Sequence, residues 1–132
     1  MGADLPTPQS DTPLTAGNLT ARSCIFKGGE SFVNYGVRSW ANTDDATGVK
    51  SGAEYATKYF TERTKAWEKD GGVKLGSDAR WREEGIGGCA LEILDDNIVL
   101  TVASGNGTAV DQEQCRATVR GLAKKFFAAV QP

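Results

Sequence analysis

The chain has 132 residues, 39% of them apolar, with 15 basic against 17 acidic side chains and no histidine. That length holds one ordinary domain with a core of its own, and the formal charge of −2 lacks the basic excess that nucleic acid or an anionic membrane surface calls for. The missing imidazole removes Ser-His-Asp and Cys-His nucleophile activation and the commonest transition-metal ligand, which leaves carboxylates, lysine, tyrosine and cysteine for chemistry.

Met1-Gly2 reads as a start placed ahead of a mature polar segment. The sequence shows no signal peptide and no apolar run near the roughly 20 residues that span a bilayer. Residues 1–20, rich in Pro and Thr, carry too little apolar surface to fold and are expected to form a flexible tether. Residues 21–132 then make a single domain. In it, Ser23 to Lys27, closed by Gly28-Gly29, and Phe32 to Trp40 are aromatic and β-branched runs around a glycine break, which predicts a hairpin. On the longer strand Val33, Tyr35 and Val37 share the expected core face, and Phe32, Asn34, Arg38 and Trp40 the other. Residues 41–50 hold turn formers without periodicity and read as a loop.

Ser51-Gly52-Ala53-Glu54 matches a capping box, so a helix is predicted from there. Ala56, Tyr59, Phe60, Arg63, Ala66 and Trp67 recur at helical spacing along it, and Gly71-Gly72 should end it. Ala79 to Glu84 is predicted as a strand with Trp81 inward, and Gly85 to Gly88 as the turn after it. Cys89, Leu91 and Ile93, then Ile98, Leu100 and Val102, alternate with period two about Asp95-Asp96-Asn97, which predicts a second hairpin with an Asp/Asn turn. Ser104 to Gly107 reads as a loop, and Thr108 with Asp111 as a capping signal. The last helix carries Cys115, Val119, Leu122, Ala123, Phe126 and Val130 on one stripe, with Arg116, Arg120, Lys124 and Lys125 to the side. The order β-β-α-β-β-β-α predicts an α+β domain, an antiparallel sheet of about five strands packed by two helices.

Three cysteines leave three pairings open. Because the hairpin brings residue 103 back beside Cys89, the pair Cys89–Cys115 is the closest, against a competing reading with all three thiols buried and reduced. Gly85-Ile86-Gly87-Gly88 lies between strands rather than before a helix, so it is a turn and not a dinucleotide fingerprint. The loop from Ser104 to Thr108 does precede a helix but lacks a P-loop lysine. Asp44-Asp45, Glu83-Glu84 and Asp95-Asp96 are adjacent acids, which point to opposite faces of a strand and cannot share a proton as a dyad does; the last, with Asn97, lacks the spacing of a calcium loop. No metal site and no cofactor is expected. Asn18-Leu19-Thr20 and Asn106-Gly107-Thr108 match the glycosylation sequon. Tyr55, Tyr59, Trp67 and Trp81, with Tyr35 and Trp40, are the candidates to line a pocket between the helix over 51–69 and the sheet, although aromatics of this kind also make cores.

Cys24-Ile25-Phe26, Leu75 to Trp81 (Leu-Gly-Ser-Asp-Ala-Arg-Trp), Cys89 to Leu94, Asp96 to Val102 and Cys115-Arg116 with its Leu-Ala-Lys-Lys helix resemble, in that order over residues 24–130, the small actinobacterial envelope lipoproteins grouped as a domain of unknown function. That family is similar to the PsbP-like α/β/α arrangement of several mycobacterial lipoproteins. The resemblance implies a signal peptide and a lipidated cysteine upstream, and so a domain tethered outside the membrane; it implies no catalytic residues. A family helical segment with its own cysteine is replaced here by the Pro/Thr stretch. The expectation is a non-enzymatic, extracytoplasmic binding or accessory domain of a secreted or cell-surface protein. Its partner would be a protein or small molecule at the surface, with no nucleic acid, and the membrane would enter only through an N-terminal lipid anchor. The rivals are a secreted enzyme working through carboxylates or Tyr/Lys, and a secreted protein inhibitor whose exposed loop is Ala41 to Lys50.

Overall fold

Alternating side chains account for most of the regular structure in a computed structural model that describes residues 10–28, 31–70, 76–82, 88–105 and 111–130. Its elements, in chain order, are β1 (Ser10–Ala16), β2 (Leu19–Gly28), β3 (Ser31–Trp40), β4 (Thr43–Asp45), β5 (Gly48–Lys50), α1 (Gly52–Arg63), β6 (Glu68–Lys69), β7 (Asp78–Trp81), β8 (Gly88–Asp95), β9 (Ile98–Gly105) and α2 (Gln112–Val130). All but β4 and β5 join one antiparallel sheet in the order β1-β2-β3-β9-β8-β7-β6. Six of these strands have four or more residues, and the two-residue β6 closes one edge. The α+β class and the two helices are as expected.

Odd and even positions of the central strands face opposite ways, and each side has its own core. Leu91, Ile93, Leu100, Val102 and Tyr35 pack with Cys115, Val119, Ala123 and Phe126 of α2. Leu94, Val99 and Trp40 pack with Ala56 and Phe60 of α1 on the reverse face. The sheet is thus the middle of three layers. Helix α1 sits so close that a Cβ on Gly52 would lie 2.0 Å from the Trp40 carbonyl oxygen, an approach only glycine permits.

Four sequence expectations need correction or placing. Within the stretch expected to be a tether, residues 10–16 pair as an edge strand, with Ala16 opposite Leu19. Gly17, at φ 60, supplies the left-handed backbone of a two-residue hairpin turn, and Pro13 is tolerated because an edge strand leaves one row of N–H groups unused. The loop over 41–50 contains the β4–β5 hairpin. Helix α1 keeps its Ser51 cap, whose hydroxyl accepts from the Glu54 amide, but ends at Arg63, short of residue 69. There the buried Thr64 turns its hydroxyl onto the Phe60 carbonyl oxygen, 2.7 Å away, and the chain leaves to form β6. Helix α2 is capped by Asp111, which accepts from the Gln114 amide. The expectations for Gly29, Gly71-Gly72, residues 83–87 (with the Glu83-Glu84 pair) and Asn106 to Thr108 lie outside the described residues.

Cys89 and Cys115 form a disulfide, the pair singled out by the hairpin's return, and Cys24 is buried outside it. The bridge ties central strand β8 to the first turn of α2 across 26 residues of sequence. In the chain-entropy model a loop of that size restricts the unfolded chain by about 3.5 kcal/mol, so the double variant Cys89→Ser/Cys115→Ser should unfold at correspondingly lower urea concentration.

On the α2 side, Tyr35 lies 4.1 Å from the Phe126 ring centroid. Burial, helped by neighbouring Cys24, pushes its hydroxyl up to about 12. A group whose folded value is raised contributes stability that is whole below the unfolded value near 10 and is lost as pH climbs through the folded one. Stability should therefore fall by roughly 2 to 3 kcal/mol between about pH 10 and 12 from this group. Denaturant unfolding across that window should show a shallower decline in Tyr35→Phe.

Candidate functional site

The four aromatic residues proposed as pocket lining divide between the two faces. Trp81 points from β7 to the α2 side, where it is 1% exposed and is flanked by the guanidinium carbons of Arg116 and Arg120 at 4.9 and 5.4 Å from its ring. Arg116 pairs with Glu68 and Arg120 with Asp70 at 2.8 Å. The hydrogen bond to Asp70 holds the Arg120 guanidinium above the ordinary arginine range, against the effect of burial. Tyr35 belongs to this side too. A recess of about 280 Å³ opens above, lined by Gln112, Glu113, Arg116 and Arg120; three carboxylates around two guanidiniums leave it without the positive excess an anion would need.

Tyr55 and Tyr59 come together on the α1 side with Trp40, and Trp67 is linked to them through Arg63. Tyr55 and Tyr59 are four residues apart on α1 and so neighbours along one face. Both are half-buried against the Trp40–Phe60 core, and the Tyr59 and Trp40 ring centroids are 5.2 Å apart. Each aromatic carries a cation: Lys50 lies 4.3 Å from the Tyr55 ring centroid, Arg38 lies 5.3 Å from that of Tyr59, and Arg63 reaches both Tyr59, at 5.9 Å, and Trp67, at 5.6 Å. Of the three cations, Arg63 reaches a carboxylate, that of Glu92, which is 1% exposed and accepts from Arg63 Nε on both oxygens, at 2.9 and 2.7 Å. Burial works against the charged Arg63, yet the hydrogen bond and charge of Glu92, with a contribution from Tyr59, hold its guanidinium above the usual range. No carboxylate pairs with Arg38 or Lys50 among the described residues. From Tyr55 to Arg63 the strip extends about 12 Å along the helix.

Its geometry is held by a network at the end of the sheet. The Tyr55 and Thr43 hydroxyls are 2.8 Å apart, the Gly52 amide donates to Asn42 Oδ1 at 2.8 Å, and Asn97 Nδ2 donates to the Trp40 carbonyl oxygen at 3.0 Å. Asn97, weighed as a calcium ligand, is used instead as a brace, beside an Asp96 that takes φ 51 in the turn. Asn18 of the first sequon likewise spends its amide on the Ala41 carbonyl oxygen, at 2.9 Å. Among the described residues no group of three or more Cys, Asp or Glu side chains converges as a metal site would, and no helix is long and apolar enough to cross a membrane.

Sequence reasoning found the aromatics but not their cations. The shared face of Arg38 and Trp40 was legible from the alternation; that α1 would lie on this face, bringing Arg38 under Tyr59, was not, because nothing local encodes which side of the sheet a helix covers. No family model, no curated protein and no solved structure matches the chain.

Proposed function

We propose that this protein is an extracytoplasmic domain that works by recognition, an envelope or secreted binding module using the strip of Tyr55, Tyr59 and Trp67 on α1 and the turn after it. The observation that carries the reading is the Cys89–Cys115 disulfide, because such bridges persist in oxidising compartments and are rare where thiols are kept reduced. The resemblance to actinobacterial envelope lipoproteins agrees with that location. Counting thiols by mass after alkylating the denatured, unreduced protein isolated from its native compartment tests it. One modified cysteine is expected, Cys24, whereas three would mean a reduced chain and would end the extracytoplasmic reading.

A second reading, a protein inhibitor, has one observation in its favour. The β4–β5 hairpin stands off the main sheet on a braced base and presents Val49 at 75% exposure, the one large apolar side chain so exposed among the described residues. An inhibitory loop resists cleavage because it is held rigid. Stoichiometric inhibition of a secreted protease with the bond beside Val49 intact would favour this reading, and rapid cleavage within residues 43–50 would dismiss it.

A further inference from the structure

The strip's chemistry narrows what it can recognise, on the basis of the binding reading above. Arg63 is satisfied by the buried carboxylate of Glu92, whereas Arg38 and Lys50 pair with no carboxylate among the described residues and lie over neighbouring rings of one helix. Their contacts with the Tyr59 and Tyr55 rings restrain two long side chains that would otherwise lose rotamer freedom on binding, so an incoming acid meets cations already positioned. The half-buried rings offer flat, partly apolar surfaces between those charges. Charge alone would suit any polyanion, and rings alone any sugar. Their alternation along one line suits a chain that alternates the same two features.

We infer that the α1 strip binds an anionic carbohydrate chain, its acid groups meeting Arg38 and Lys50 and its ring faces lying on Tyr55, Tyr59 and Trp67. The acid can be the carboxylate of a uronic acid or a phosphate between sugars, since a guanidinium takes either through paired hydrogen bonds. Nucleic acid fits less well, because the chain as a whole carries a formal charge of −2 and the strip offers two cations without a carboxylate partner among the described residues, too few to follow a phosphate backbone.

The test is calorimetric titration of the intact, disulfide-bonded protein with five probes. These are an oligogalacturonate, a sugar-phosphate polymer of the teichoic type, a neutral oligoglucan, inorganic polyphosphate, and phosphatidylglycerol vesicles. Saturable binding of either anionic glycan, with the other three at least tenfold weaker, is expected, and the preferred glycan tells carboxylate from phosphate. Arg38→Gln and Lys50→Gln should each weaken it about tenfold, the size of one charge-assisted hydrogen bond, with the unfolding midpoint unchanged. Tyr55→Leu should weaken it too, which a purely electrostatic site would not show. Equal binding of polyphosphate or vesicles, equal binding of the neutral glucan, unaltered affinity in both cation variants, or no binding of either anionic glycan would each overturn the inference. A protein that fails here while its disulfide is confirmed keeps its extracytoplasmic assignment and loses only this ligand.

Discussion

Trp81→Ala is expected to destabilise the protein by roughly 3 to 5 kcal/mol, the range for truncating a buried large aromatic. The ring is 1% exposed, packs in the core shared with Leu91, Val119 and Phe126, and supports the Arg116 and Arg120 guanidiniums on its flank. Truncation leaves a void and removes the surface on which both arginines rest, while their partners Glu68 and Asp70 stay behind. The indole Nε1 is buried without a hydrogen-bond partner, so Trp81→Phe discards a donor that gains nothing and keeps most of the packing. It should lose about 1.5 kcal/mol or less. Urea unfolding of the two variants checks both numbers. An alanine variant as stable as wild type would mean that the Trp81 side is a binding pocket rather than core.

Arg63→Met should cost about as much, roughly 3 to 5 kcal/mol, for a different reason. Glu92 sits on β8, next to the middle strand of the sheet, 1% exposed, and Arg63 Nε is hydrogen bonded to both of its oxygens. Arg80 lies opposite on β7 but is itself paired with Asp78 at 3.0 Å. Losing Arg63 therefore strands a buried charge. The converse change is milder, because the Arg63 side chain is 38% exposed and water can solvate it when Glu92→Gln removes the negative charge. The double variant Arg63→Met/Glu92→Met should recover most of the loss, since apolar side chains of similar volume can replace a buried pair at little or no cost. A full double-mutant cycle by denaturant unfolding measures the coupling; Arg63→Met and Glu92→Gln with equal effects would remove the asymmetry argued here.

The buried Glu92 also shows where local reading stopped. Cys89, Leu91 and Ile93 marked one face of the hairpin as core, and the period-two reading assigned nothing to the face that carries Glu92. The same run nevertheless carries Ala90 and Leu94 beside Glu92, and Val99 and Ala103 on β9, so it is apolar on both sides, as strands covered twice tend to be. Gly17-Asn18 is a dipeptide of the hairpin-turn type, but the tether reading of residues 1–20 rested on polar, proline-bearing composition alone. Composition measures whether a segment can bury its side chains. It does not measure whether its backbone can pair with a strand that is already ordered.

By itself the sequence determined the two central hairpins, the Ser51 cap, the apolar stripe of α2, the α+β class and the nearest cysteine pair, because each rests on periodicity or on residues close along the chain. Only the tertiary structure decided that β9 inserts between β3 and β8, that α1 and α2 lie on opposite faces, and that Trp81 is thereby separated from Tyr55, Tyr59 and Trp67. It also decided that Arg38, Lys50 and Arg63 meet those rings. These are outcomes of packing distant segments together, where the free energy comes from covering each face of a sheet whose alternation marks both faces as apolar but cannot say which helix covers which.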